Sequence, residues 1–154
     1  MDNKYMDMAL KLARVAYRHG DVPVGAVIVK DGKVLAKAFN QKTKRKDSTK
    51  HAEIIAITKA SHKLHDFRLD GCDMYVTFEP CIMCAGAILS ARIDNVYFGA
   101  YDNRFSSVQF VQTLPFNHVT NFQGGIMENE CAGMLSNFFA ELRKDANIST
   151  SSKK

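Results

Sequence analysis

Apolar side chains at Tyr5, Met8, Ala9, Leu12, Val15 and Ala16 recur at steps of three and four, the spacing of one face of a helix. Gly20 follows as a residue able to end that helix in a left-handed turn. The period then shortens. Gly25–Lys30 and Lys33–Phe39 read as two strands joined by Asp31-Gly32, the dipeptide of a two-residue hairpin. Residues 40–50 are polar and read as a loop. Ala52–Leu64, rich in Ala and Ile, predicts a second helix, with Ser48 or Thr49 near its start as a cap. Cys72–Phe78 is a short apolar strand, and Pro80 fits the first turn of a third helix running from 81 to about 91. That helix is apolar nearly all round, so it is expected to be buried. Asn95–Ala100 predicts a fourth strand, 101–117 carries no decisive period, and 119–122 offers a last strand. Cys131, Met134, Leu135, Phe138, Phe139 and Leu142 mark a closing helix. Phe138 and Phe139 sit one helical step apart and face different ways: one belongs in the core, the other at a dimer edge or against a base.

Strands alternating with helices argue for the α/β class, a three-layer α/β/α sandwich around a central mixed five-stranded sheet. The 154 residues suit one domain, expected over 1–147, with a Ser- and Lys-rich flexible tail over 148–154. Ligands of such sheets gather where strands end and helices begin. His51 opens one predicted helix and Cys81 the next, so the fold should bring them together.

Composition adds three constraints. Hydrophobic residues are 46% and charged residues 24% of the chain, an ordinary globular balance with no run long enough to span a bilayer. The first residues, Met1-Asp2-Asn3-Lys4, lack an apolar signal-like segment, so the cytoplasm is the expected location. The net charge of +5 favours a polyanionic partner, and Lys42, Lys44, Arg45, Lys46 and Lys50 concentrate that charge in nine positions.

The chemistry lies in His51-Ala52-Glu53 and Pro80-Cys81-Ile82-Met83-Cys84. Two cysteines three apart on a first helical turn share a face, and unpaired N–H groups at a helix start favour thiolates. With an imidazole they make a three-ligand set suited to one Zn2+ per chain, leaving a fourth position to water. Glu53, two residues after His51, faces the same pocket if His51 lies just outside the helix, where its carboxylate can serve as general base and acid. The bland alternative is a structural zinc site closed by Cys72 or Cys131 as fourth ligand, although both read more simply as small core residues.

The full pattern H-x-E…P-C-x-x-C resembles the zinc-dependent cytidine and nucleobase deaminase superfamily, and within it the branch that acts on tRNA adenosine. Asp21-Val22-Pro23-Val24-Gly25-Ala26-Val27, the stretch following Pro80 to Ile88, Asn129-Glu130-Cys131-Ala132 and Phe138-Phe139 carry the likeness, which runs from about Tyr5 to Lys144. The resemblance implies a cytidine deaminase-like fold and hydrolytic conversion of adenosine to inosine at the wobble position of a tRNA anticodon. Its site residues would be His51, Cys81 and Cys84 on zinc, with Glu53 moving protons. Asn40, the Ala52 N–H, Asp102 and Phe139 would contact the flipped nucleotide. Lys44, Lys46 and Arg104 stand as further RNA contacts, the anticodon stem-loop is the implied partner, and the family assembles as homodimers. This chain departs from the family at Asp47-Ser48-Thr49-Lys50-His51, where a proline is usual, and over Asp102-Asn103-Arg104-Phe105-Ser106-Ser107-Val108, where small residues are usual. Two other functions fit the residues: a deaminase of free bases or nucleosides (guanine or cytosine) with the same zinc site, and a non-catalytic RNA-binding module stabilised by zinc.

Overall fold

The computed structural model describes the backbone of residues 3–151 and the side chains of residues 3–147. Helix α1 (Asn3–Arg18) is followed by the hairpin β1 (Gly25–Lys30) and β2 (Lys33–Phe39). A short α2 (Lys42–Arg45), α3 (Ala52–Leu64), β3 (Cys72–Phe78), α4 (Ile82–Ala91) and β4 (Asn95–Ala100) come next. The chain closes with α5 (Ser107–Gln112), β5 (Asn121–Gln123) and α6 (Glu128–Ser151). The five strands form one mixed sheet in the order β2-β1-β3-β4-β5. β1 is antiparallel to both β2 and β3, whereas β3–β4 and β4–β5 are parallel.

Both faces of the sheet are covered, which is why β1 and β3 are apolar runs rather than alternating strands. Successive side chains still divide between the faces. Ala26, Ile28, Met74 and Val76 pack with Ala52, Ala56 and Ile88 of α3 and α4. Val27, Val29 and Tyr75 pack with Met6, Leu10 and Leu135 of α1 and α6. The result is the expected α/β/α sandwich. Edge strand β2 keeps its solvent side charged with Lys33 and Lys37, which discourages pairing with another edge. In the hairpin turn Asp31 and Gly32 both take positive φ, 51° and 73°, the left-handed pair that Asp-Gly tolerates.

Two glycines set how closely helices approach the sheet. A Cβ on Gly25 would lie 2.0 Å from the Ala9 carbonyl oxygen, and one on Gly99 would lie 2.3 Å from Cys131 Sγ. Cys72 and Cys131 are core residues, as their isolated positions suggested.

Several local expectations change. The 40–50 loop contains α2, whose left-handed end at Lys46 turns the chain toward α3. Neither Ser48 nor Thr49 caps α3: the cap position is His51 itself, without a side-chain cap bond. Pro80 lies before the helix rather than in its first turn, because Cys81 is the cap of α4. α4 is not buried all round; Ile82 is 49% and Met83 37% exposed. The last strand is Asn121–Gln123, which starts two residues and ends one residue later than expected, in parallel pairing with β4, and Val119 is left in solvent. The backbone of residues 148–151, expected as tail, continues α6, and residues 152–154 lie outside the described residues.

Candidate active site

Because β2, β3 and β4 all run the same way across the sheet, their carboxyl ends meet at one edge. Asn40, Glu79 and the 101–105 segment emerge there, and the starts of α3 and α4 face them. They border a cleft of about 940 Å³ whose opposite wall is α6. Its size suits a nucleotide-scale ligand.

His51 has extended backbone (φ −73°, ψ 151°), which turns its imidazole out of the helical path while its carbonyl already accepts from Ile55 N at 3.1 Å. This resolves the spacing problem of H-x-E: His51 is outside the helix and Glu53 is in its first turn, so both reach the cleft. Cys81 holds the equivalent position on α4 (φ −68°, ψ 175°), with Cys84 three residues on. His51 Nδ1 lies 3.6 Å from Cys81 Sγ and 3.5 Å from Cys84 Sγ. The three donor atoms fall within 4.8 Å of one another. A tetrahedral zinc bonded to nitrogen at about 2.05 Å and to sulfur at about 2.3 Å would hold those atoms about 3.55 Å apart. The donor set therefore fits zinc in chemistry and in spacing. No carboxylate, and neither Cys72 nor Cys131, joins the group among the described residues, so the structural four-ligand alternative lacks its fourth side chain.

The electrostatics are those of a preformed site. Hydrogen bonds from Cys84 and from His51 pull the Cys81 thiol down to about 4, overcoming its burial. Cys84 moves up, being the thiol that donates to Cys81 and the more buried of the two. The bond to Cys81 raises His51. The sulfurs thus share a proton that a dication between them would displace. Glu53 is only 4% exposed, and burial pushes its carboxyl up to about 7. Its Oε1 has no hydrogen-bond partner, an orphan that a buried carboxylate rarely keeps unless the site uses it.

Asn40, 5% exposed, does two things at once. It lines the cleft, and its Oδ1 accepts from the Ala52 N–H at 2.8 Å, satisfying one of the orphan donors at the start of α3. The Ala52 N–H expected to contact a purine is therefore engaged by Asn40, and Ala52 does not line the cleft. Asp102 and Arg104 do line it, bound to each other at 3.2 Å. The Phe pair separates cleanly. Phe138 is core, edge-on to Tyr17 at 5.4 Å, and Phe139 is 39% exposed and lines the cleft.

The basic run is reordered. Lys42 lines the cleft; Lys44 and Lys46 do not. The buried carboxylate of Asp21 explains the placement: Oδ1 accepts from Val22 N at 3.0 Å and Oδ2 from Thr43 N at 2.9 Å, tethering α2 to the cleft wall. Sequence reasoning also missed Arg143 and Glu79. Arg143 was reachable, since it lies one turn beyond Phe139 on the same helical face.

The chain matches the family model for the cytidine and deoxycytidylate deaminase zinc-binding region over residues 1–100. It is 43% identical over 147 residues to the tRNA-specific adenosine deaminase of Bacillus subtilis (strain 168), with 93% of this chain and 91% of the relative covered. It superimposes with a TM-score of 0.81 and 40% identity on a structure solved in a study of A-to-I editing by tRNA:A34 deaminases at the wobble position of transfer RNA. That match covers 87% of this chain and 100% of the other. A guanine deaminase from Nitrosomonas europaea shares the fold at TM-score 0.79 and 19% identity, over 91% of this chain and 85% of that one.

Proposed function

The chain belongs to the cytidine and deoxycytidylate deaminase zinc-binding family, and on that footing we propose that it converts adenosine to inosine at the wobble position of a tRNA anticodon. The relatives named as tRNA-specific adenosine deaminases, matched along nearly their whole length, support the substrate. The observation that carries the chemistry is the unpartnered Oε1 of Glu53, buried beside three zinc-type donors at the edge of the cleft.

Held by His51, Cys81 and Cys84, zinc supplies the Lewis acidity that makes water a nucleophile at neutral pH. Glu53 takes a proton from the attacking water and delivers it to N1 of the adenine as the new C6–O bond forms. It then carries the remaining hydroxyl proton to the amino group. The C6–N6 bond breaks, ammonia departs, and the carbonyl of inosine is left. One water is consumed and one ammonia released. A carboxyl poised near neutrality by burial suits a group that must both accept and donate.

In this reading Asn40 donates its amide N–H to the flipped nucleotide, because its oxygen is committed to α3. Asp102 receives the ribose, and Phe139 offers a ring face for stacking. Arg104 and Lys42 meet phosphates at the cleft, while Lys44 and Lys46, outside it, act on more distant ones. Exposed apolar side chains on the packed pair α4 and α5 (Ile82, Met83 and Phe110) support a homodimer. The substrate puts the enzyme in the cytoplasm, and no helix among the described residues is long and apolar enough to cross a membrane.

The test is Glu53→Gln. It should retain zinc and fold, yet lose inosine formation on an anticodon stem-loop by about 10²- to 10⁴-fold. Ammonia from free guanine or cytosine, with none from the stem-loop, would transfer the site to the free-base reading. Full activity of the variant would return the protein to a non-catalytic role for this carboxylate.

A further inference from the structure

Residues 33–64, from β2 through α2 to α3, hold nine of the chain's 21 lysines and arginines but only two of its 16 acids. The rest of the chain is therefore net negative, and the whole positive excess lies in this one segment. Its two acids do little to offset it: Glu53 is buried in the site, and Asp47 is held by Thr49 and Lys50. β2 is an edge of the sheet, and Lys59 Nζ of α3 donates to the Lys37 carbonyl there at 2.8 Å, so the exposed cations of strand and helix share one border of the molecule. Among the described residues Lys33, Lys37, Lys59 and Lys63 make no ion pair, whereas Arg68 and Arg92 meet Asp70 and Arg104 meets Asp102. Charges on the strand itself suffice to protect an edge. They do not account for Lys59 and Lys63 on the helix beside it.

These cations extend away from the cleft. Asn40 and His51 mark the cleft ends of β2 and α3, and Lys33 and Lys63 lie near the opposite ends, each about 20 Å away at the ordinary rise of a strand or helix. A strip this long exceeds what one nucleotide in the cleft requires and matches a backbone charged along its length. Its chemistry also discriminates between single and double strands. Single strands are held on aromatic platforms, yet the only Phe, Tyr or Trp in residues 33–64 is Phe39, whose ring packs edge-on to His19 at 5.9 Å. Charge without rings suits a duplex, whose bases are stacked inside and whose phosphates face outward. We infer that the border formed by β2 and α3 docks the helical stem of the RNA hairpin whose loop enters the cleft, gripping backbone rather than reading sequence. The inference rests on the proposed RNA substrate.

The experiment uses the zinc-loaded full chain with two RNAs: an anticodon stem-loop, and the same loop sequence as a single strand without the stem. Affinity is read by fluorescence anisotropy across a salt series, and inosine is read in the same samples. The double variants Lys59→Gln with Lys63→Gln, and Lys33→Gln with Lys37→Gln, remove two charges each and keep long side chains. At least one of them should bind the stem-loop about tenfold more weakly at low salt, with the slope of log affinity against log salt reduced by about 1.5. The same variant should bind the single strand as wild type does. Lys11→Gln with Arg14→Gln, an equal loss of charge on exposed positions of α1, should leave both affinities unchanged. Unaltered stem-loop binding by both lysine pairs overturns the docking surface. So does an equal loss on the two RNAs, or a loss of the same size in the α1 variant, since either would reduce the effect to general attraction. Absence of inosine with the stem-dependent loss intact would refute the proposed reaction and leave the surface standing, whereas inosine without that loss would do the reverse.

Discussion

Asn40 joins the frame of the enzyme to its chemistry, and two substitutions separate those roles. Asn40→Ala removes the acceptor of a buried 2.8 Å bond and leaves the Ala52 N–H, at the first residue of α3, without a partner. A buried unsatisfied donor costs about 1–3 kcal/mol. For a chain of this length about 2 kcal/mol lowers Tm by about 4–8 °C. The damage falls next to His51 and Glu53, so the start of α3 should also hold zinc less firmly. Asn40→Asp keeps an oxygen where the Ala52 N–H points, and a carboxylate at a helix N-terminus is favoured by the helix dipole. It should recover more than half of the lost Tm and bind zinc with wild-type stoichiometry. It cannot donate to a nucleotide, so inosine formation should remain depressed at least tenfold. Differential scanning calorimetry, zinc analysis and single-turnover kinetics on the three proteins decide the matter. If Asn40→Asp melts as low as Asn40→Ala, the capping argument is wrong. If it turns over like wild type, the amide has no part in substrate binding.

Four other outcomes follow from the same geometry. Cys84→Ser should lose most of its zinc and melt lower than wild type, since ion binding contributes directly to folding; equal zinc content would exclude Cys84 as a ligand. After chelation, Cys81 should be the thiol that reacts fastest with a disulfide reagent at pH 7, because its folded value of about 4 lies far below the usual thiol range and leaves it ionised, whereas buried Cys131 is pushed up to about 12. Loss of the fast phase in Cys81→Ser checks the assignment. Gly25→Ala, which drives a Cβ into the Ala9 carbonyl, should destabilise by about 3 kcal/mol or more in urea unfolding. Lys42→Ala should lower the slope of log affinity for RNA against log salt by about one, and an unchanged slope would remove Lys42 from the phosphate path.

Local rules made much of this protein legible in one dimension. Hydrophobic period placed α1, because side-chain direction follows directly from helical backbone, while Ala- and Ile-rich composition placed α3 and short apolar runs between turn residues placed the hairpin strands, β3 and β4. The Asp31-Gly32 turn followed from which residues tolerate positive φ. The metal set was readable because ligand chemistry and helix-start spacing constrain His51, Cys81 and Cys84 before any folding is considered. Tertiary packing decided the rest. Nothing local distinguishes Phe138 from Phe139 or Lys42 from Lys44; the docking of α6 on the sheet and the tether from Asp21 to α2 do. The bond from the Ala52 N–H to Asn40 spans twelve positions, and the Tyr101 ring keeps its place because Gly124, from a distant segment, leaves room for it. Such contacts arise where separate elements meet, and their geometry depends on the sheet that brings those elements together.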